Sequence, residues 1–237
     1  PSGFANCIKL DCTTADTSIA AAESLLIQQN FEGQDVQSIG KGVTGAKEVT
    51  LSFYVKANAA FDFVAEIKDV DNNRTNGRVF ATTTDWVRHE ITFQADVDDG
   101  SSPFDDDNAL SLIVNFFLHA GTTFTGGTLN TTAWANNTNA NRVAGIDSFF
   151  SSTDNNFFIT GVQLEVGSVA TPFEHRSFGE ELALCQRYYQ MTNGQTQFAG
   201  RGTATTSGVG GLALTVPMRA SPTITTNSIA TRGYTSA

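Results

Sequence analysis

Alternation of apolar and polar residues is the feature that most restricts how this chain can fold. In KEVTLSFYVKA every second residue from Val49 to Val55 is apolar, and in AFDFVAEIKD the same holds from Phe61 to Ile67. Successive side chains of a β-strand point to opposite faces, so this period of two is typical of strands with one buried face. The pattern therefore predicts strands that share a hydrophobic core.

Further segments complete a chain of strands without convincing helices between them. The remaining segments with strand patterning are CIKLDCT, SLLIQQNFEG, GRVFATTT, DWVRHEITFQAD and FFITGVQLEVG. ALSLIVNFFLHAG, residues 109–121, is almost continuously apolar, as expected of a central strand buried on both faces. Parallel strands need long crossovers, usually helical, so these strands must pair antiparallel. We predict an all-β fold, an antiparallel jelly-roll β-sandwich, over residues 1–176.

The pattern changes after residue 176 and predicts one short helix over residues 177–190. Ser177 and Glu180 form the S-x-x-E capping box that marks a helix start. The apolar residues of this segment fall on one helical face: Phe178, Leu182, Cys185 and Tyr189. We expect this face to contact the sandwich or a neighbouring chain. The Gly- and Thr-rich residues 191–237 return to β patterning and predict the start of a second β-rich module.

Charge and composition exclude several classes of partner. The net charge of −10 and the pI of about 4.6 disfavour nucleic acid and anionic membranes. The sequence has neither an apolar run of the ~18–20 residues that a membrane helix needs nor a visible signal peptide. Because the chain begins with Pro1, we expect it to be a piece of a longer one. Three irregularly spaced cysteines indicate buried free thiols, which fits assembly in a reducing cytosol.

Catalytic and metal-binding motifs are absent from the sequence. No G-x-S-x-G, P-loop or dinucleotide fingerprint occurs, and His89, His119 and His175 are isolated. The acidic segment DVDDGSSPFDDDN, residues 96–108, is typical of a solvated loop. A glycosidase carboxylate pair or a calcium site are its functional alternatives. We predict no enzymatic activity and no cofactor, and leave a calcium ion in this loop open.

Two tryptophans differ in their surroundings. Trp134 lies in a polar, Asn-rich segment where its ring has no obvious core, so it is the candidate platform for stacking on a sugar. The alternative is that Trp134 holds this long loop onto the sandwich. Trp86 opens a strand and is predicted to lie in the core.

The segment from Phe157 to Gln190 carries a resemblance to a known family. Its blocks TGVQLEVG, ATPFEHR and ELALCQRYY, in this order, resemble a segment of tail-fibre and related structural proteins from tailed bacteriophages. The upstream segments KEVTLSFYVKA and TTTDWVRHEITF fit the same family in order. The resemblance covers roughly residues 8–190 well and residues 191–226 weakly.

The resemblance implies a jelly roll similar to carbohydrate-binding modules, mounted on a virion appendage. It also implies assembly in the host cytoplasm as a homotrimer, contact with other virion proteins, and recognition of a glycan on the host surface. A capsid or tail decoration protein with a purely structural role is the alternative, and a polysaccharide depolymerase is a third. The host, the ligand and the position in the virion stay open.

Overall fold

A computed structural model describes residues 1–97, 102–191, 199–204, 207–211 and 214–223. The chain divides into two units, Pro1–Glu174 and His175–Ala237. The division falls two residues before the boundary expected after residue 176.

The first unit consists of two antiparallel sheets. Its strands are β1 (Ile8–Asp11), β2 (Ser24–Glu32), β3 (Val49–Ala57), β4 (Asp62–Asp69), β5 (Arg74–Ala81), β6 (Val87–Phe93), β7 (Leu110–Ala120), β8 (Ala135–Asn136) and β9 (Asn156–Val166). The four-stranded sheet has the order β1-β9-β3-β6, and the five-stranded sheet has the order β2-β7-β4-β5-β8. If the two-residue β8 is left aside, each strand is followed in sequence by a strand of the other sheet. The exception is β4, which is followed by β5 in the same sheet. This is the jelly-roll topology, so the predicted fold class is confirmed.

Short helical turns occupy some of the connections. They are the α-helices α1 (Gly33–Val36) and α2 (Thr122–Thr125) and the 3₁₀ turns Gln37–Ile39, Asn139–Asn141 and Phe149–Ser151. Each has at most four residues, which is too short to show the helical periodicity that a sequence pattern can reveal.

Phenylalanine rings from both sheets fill the core between them. Phe53 on β3 makes edge-on contacts with Phe80 and Phe116 of the opposite sheet, at centroid distances of 5.1 and 4.9 Å. Phe63 on β4 meets Phe157 on β9 at 5.7 Å. Edge-to-face pairs of this kind add to the hydrophobic stabilisation from burial alone.

The strand β7 is buried on both faces, as its continuous apolar sequence predicts. Leu112, Val114 and Phe116 face the core between the sheets. On the outward face, Phe117 packs in a second cluster with Val143 from the long connection between β7 and β9. This connection therefore covers one part of the outward face of the five-stranded sheet.

A glycine in the TGVQLEVG block makes an irregularity in β9. Gly161 has a φ of +61°, and the β3–β9 register shifts opposite it, between Ser52 and Tyr54. A Cβ atom at Gly161 would lie 2.6 Å from the ring of Phe4. Only glycine combines this left-handed conformation with so close a contact.

The second unit begins with the predicted helix. The helix α3 spans Phe178–Gln186, and its capping box is confirmed. Ser177 Oγ accepts a hydrogen bond from the Glu180 N–H at 3.3 Å, and the Glu180 carboxylate accepts one from the Ser177 N–H at 3.0 Å. Hydrogen bonds from the Ser177 side chain and backbone lower the pKa of Glu180. Tyr189 lies three residues beyond the last residue of α3.

The predicted second β-rich module contains one described hairpin, formed by β10 (Ala199–Ala204) and β11 (Ser207–Gly211). The rest of this prediction falls largely outside the described residues, since 192–198, 205–206, 212–213 and 224–237 are not among them.

Candidate functional site

Polar side chains line up across the outward face of the five-stranded sheet. Asn115 on β7 stands in register with Gln28 on β2 and Glu66 on β4. The next row pairs Asn30 and Lys68 with Ile113 of β7. Residues in register point to the same side of a sheet. We define the polar face as Gln28, Asn30, Glu66, Lys68, Asn115 and Arg142.

A buried ion pair fixes the floor of the polar face. The fully buried Glu66 carboxylate accepts hydrogen bonds from Arg142 Nε at 2.8 Å, Arg142 Nη2 at 2.5 Å and Asn115 Nδ2 at 2.9 Å. The Arg142 guanidinium lies 5.0 Å from the centroid of the Phe117 ring and 5.7 Å from that of Phe124. A bidentate pair with stacked rings is rigid, so it fastens the loop that carries Arg142 to the sheet.

One acceptor on this floor is left open. Asn115 is 2% exposed, and its Oδ1 atom has no hydrogen-bond partner among the described residues. Its Nδ2 atom is already committed to Glu66, so the side chain cannot turn without losing that bond. Buried polar atoms without a partner are uncommon in folded proteins, so Asn115 Oδ1 is an exception among the side chains of the polar face.

The open side of the polar face supplies donors. Burial lowers the pKa of Lys68, and the nearby Arg142 guanidinium lowers it further, while the Glu66 carboxylate opposes both effects. Gln28 and Asn30 are exposed, and the Gln28 amide donates to Asn30 Oδ1 at 2.5 Å. The polar face therefore carries an ammonium and two amides, and the carbonyl oxygen of Asn115 lies buried among the strands beneath them.

Trp134, the predicted stacking platform, does not belong to the polar face. Its indole is half-buried against the core between the sheets, and Nε1 donates to the Gln94 carbonyl at 2.9 Å. Its own carbonyl accepts from Arg74 Nη2 at 3.3 Å. These contacts hold the loop onto the sandwich, which is the alternative role derived from the sequence.

Trp86 lies outside the core in which it was expected. It is half-buried beside Phe158, at a centroid distance of 6.3 Å, and Lys56 Nζ lies 5.4 Å from the centre of its ring. Trp86 also lines a small cavity of about 130 Å³ with Phe4 and Thr160 among its other walls. Alternation explains this position, because Ile91 and Phe93 of β6 face the core and Trp86 therefore falls with Arg88 and Glu90 on the outward side.

All four predicted contact residues of the helical segment lie in its exposed part, as far as the described residues show. Phe178, Leu182, Cys185 and Tyr189 are all exposed. Phe178 is the most exposed at 82%, followed by Tyr189 at 69% and Leu182 at 41%. Cys7 is exposed as well, so among the three free cysteines the expectation of burial is correct only for Cys12. Cys7 lies before β1, and Cys185 lies on the exposed face of α3.

The acidic segment contains two kinds of aspartate. Asp105, Asp106 and Asp107 are exposed, whereas Asp96 is buried and paired with Arg74 and Lys41. Asp98 and Asp99 lie outside the described residues. Among the described residues no group of three or more His, Cys, Asp or Glu side chains could hold a metal ion. None of the described helices is long and apolar enough to cross a membrane.

The polar face was not predicted, although the sequence carries a signal for it. Asn115 interrupts the apolar run LIVNFF, and Glu66 interrupts FVAEIK, each at an outward position of a strand that is otherwise apolar. Arg142 lies 76 residues from Glu66 in a loop without periodic patterning, so nothing local predicts their contact.

Comparisons with known proteins leave the family open. No protein family matches the chain, and no curated protein matches it. Among solved structures, one described as "CBM4 structure and function" matches with 12% identity and a TM-score of 0.34. The match covers 64% of this chain and 66% of that chain.

Proposed function

We propose that the chain binds a glycan on the polar face of its five-stranded sheet. The observation that carries this proposal is the unpaired Oδ1 atom of the buried Asn115, held in place by Glu66 beside the open row of Gln28, Asn30 and Lys68. Neighbouring hydroxyls of a sugar both donate and accept, so they match a carbonyl acceptor next to amide and ammonium donors. The face lies across several strands, which suits an extended oligosaccharide.

The ligand class follows from charge. A net charge of −10 repels highly charged polyanions, whereas the local cations Lys68 and Arg142 tolerate hydroxyls and an occasional carboxylate. We therefore expect a neutral or weakly acidic polysaccharide. Within the polar face the single carboxylate, Glu66, is bound to Arg142 and Asn115, so the face supports binding without bond cleavage.

Binding is tested with the purified chain on a glycan array, followed by isothermal titration calorimetry with the best ligand. Gln28→Ala and Lys68→Ala should each weaken binding about tenfold, since each loses hydrogen bonds worth about 1.4 kcal/mol or less. Gln29→Ala is the matched control, because Gln29 is the next residue of β2 and points to the other side. Absence of binding to any glycan would overturn the proposal, as would equal effects of Gln28→Ala and Gln29→Ala.

The sequence blocks of residues 157–190 support a location for this activity. Their resemblance to tail-fibre and related proteins leads us to place the chain on an external appendage of a tailed-phage virion, as a homotrimer among other virion proteins. Electron microscopy of labelled particles separates this proposal from its alternative. Label at a distal tip supports a role in host attachment, and label in a capsid lattice supports a decoration protein.

A depolymerase would release reducing ends from host polysaccharide. We expect no such release when the chain is incubated with a polysaccharide that it binds. Reducing ends formed by the wild type, and lost in Glu66→Gln, would show instead that the polar face is catalytic.

A further inference from the structure

A second cluster of charged side chains lies buried on the other side of the five-stranded sheet. Lys41 Nζ is 2.5 Å from Asp69 Oδ2 and 3.3 Å from Asp96 Oδ2. The three side chains are 1%, 0% and 2% exposed. Lysine and aspartate are almost never buried so completely unless they are paired, as these three side chains are. They come from different parts of the fold, since Lys41 follows the 3₁₀ turn Gln37–Ile39, Asp69 ends β4 and Asp96 follows β6.

The carboxyl group of Asp69 is arranged as an electrophile. The Asn72 backbone N–H donates to Asp69 Oδ1 at 3.0 Å, and Asn72 Nδ2 donates to Oδ2 at 2.9 Å. If a nucleophile adds to Cγ, negative charge develops on a carboxyl oxygen, and the backbone donor to Oδ1 stabilises it. Fixed donors aimed at a developing oxyanion are a major source of catalytic rate enhancement.

Asp96 is held where it can move a proton. Arg74 binds it in a bidentate manner, with Nε–Oδ2 and Nη2–Oδ1 distances of 2.9 and 3.0 Å. With these two hydrogen bonds in place, Asp96 Oδ2 lies 3.3 Å from Lys41 Nζ. The rings of Phe104 and Trp134 lie with their centroids 5.5 and 5.9 Å from Nζ. A nucleophile, an electrophile and a proton carrier thus meet in a site that excludes water.

We propose that Lys41 and Asp69 become joined by an intramolecular isopeptide bond. Lys41 reacts as the neutral amine and Asp69 as the carboxylic acid, a pair reached when one proton passes from the ammonium to the carboxylate. Nζ attacks Cγ, and Asp96 accepts a proton from Nζ and returns it to the departing hydroxyl. The N–C bond forms, one C–O bond breaks, and one water molecule leaves, with nothing oxidised or reduced. Asp96 therefore carries the same number of protons after the reaction as before it.

The bond would tie the segment after the 3₁₀ turn to the end of β4. A covalent link between two distant positions restricts the unfolded chain, so unfolding becomes less favourable. A tether of this kind suits a module that must keep its shape under mechanical load.

The test is the intact mass of the purified, folded chain under denaturing conditions. We expect the wild type to be lighter than its sequence by one water, and proteolysis to yield a branched peptide that joins Lys41 to Asp69. A wild type with the full sequence mass would overturn the proposal and leave the cluster as an ion network. This measurement does not depend on any variant folding.

Variants of the cluster then test the role of each side chain in forming the bond. Lys41→Met and Asp69→Ala should both have the full mass. Lys9→Ala, the control at an exposed lysine paired with Asp11, should still lose one water. Asp69→Asn should lose ammonia instead, because the leaving group changes. Asp96→Asn should keep its full mass for much longer than the wild type. Complete cross-linking of Asp96→Asn at the wild-type rate would overturn the role given to Asp96.

Discussion

The buried pair of Glu66 and Arg142 should be the most costly to break among the polar-face contacts. In Glu66→Ala the Arg142 guanidinium and the Asn115 amide lose their shared acceptor inside the protein. Removal of one partner from a buried pair costs about 3–5 kcal/mol. We therefore expect the free energy of unfolding, measured by urea titration, to fall by about 3 kcal/mol.

A matched control for this prediction exists on the other sheet. Glu90 pairs with Arg88, but the side chains are 49% and 28% exposed. Exposed pairs contribute at most about 1 kcal/mol, so Glu90→Ala should change the unfolding free energy by less than that. Equal losses in Glu66→Ala and Glu90→Ala would contradict the structural role given to the buried pair.

His119 should make stability depend on pH. Burial lowers its pKa from the ordinary value of 6.5, while Glu23 and Asp16 oppose this shift. The ring Nδ1 lies 2.9 Å from Ser148 Oγ, and Nε2 is buried without a partner among the described residues. The folded state therefore prefers the neutral ring, and the stabilisation is present above about pH 6.5. It is lost as the pH falls through 6.5 towards the lower folded-state value.

We expect urea unfolding of the wild type to become easier between pH 7 and pH 5. Part of that slope should disappear in His119→Phe, because the variant has no ring to protonate. An unchanged slope in the variant would show that other groups cause the pH dependence.

At the scale of elements, local sequence determines some features completely. The S-x-x-E pattern predicted the start of α3 at Ser177, since a capping box involves only residues three positions apart. Alternation likewise predicted which residues of β3 and β4 face the core. The polar face was missed because its central contact, Arg142 with Glu66, depends on the path of a loop that has no periodic pattern.

Gly161 should tolerate no side chain. Its φ of +61° costs an L-residue about 1 kcal/mol, and a Cβ atom would meet the Phe4 ring at 2.6 Å. We expect Gly161→Ala to lower the unfolding free energy by about 2 kcal/mol or more. Gly145→Ala is the control, because its φ is +88° but nothing lies within 4 Å of its Cβ position. Equal costs would mean that Phe4 moves away freely.

At the scale of the whole molecule, the fold class followed from two facts that need no tertiary information. Apolar and polar residues alternate within the strands. No helix long enough for a crossover separates the strands, so the sheets had to be antiparallel. The position of the polar face did not follow, because both sheets have an outward side. Which side is covered depends on the connection between β7 and β9, whose Val143 packs onto Phe117.

The exposed stripe of α3 bears on the assembly of the chain. Phe178 and Leu182 are apolar side chains that are 82% and 41% exposed, and clustered exposure of this kind is typical of protein contacts. The resemblance to tail-fibre proteins implies a homotrimer, so we expect further copies of this chain to cover the stripe. Light scattering should give the mass of three chains for the wild type.

Charged substitutions on the stripe should then dissociate the trimer. Phe178→Glu and Leu182→Lys would each place a charge in a contact that water leaves, which is costly without a partner. Val169→Lys is the control, because Val169 is 71% exposed in the first unit and does not lie on the helix. A wild type that is monomeric would contradict the trimer. A trimer that survives both substitutions on α3 would show that other surfaces hold the copies together.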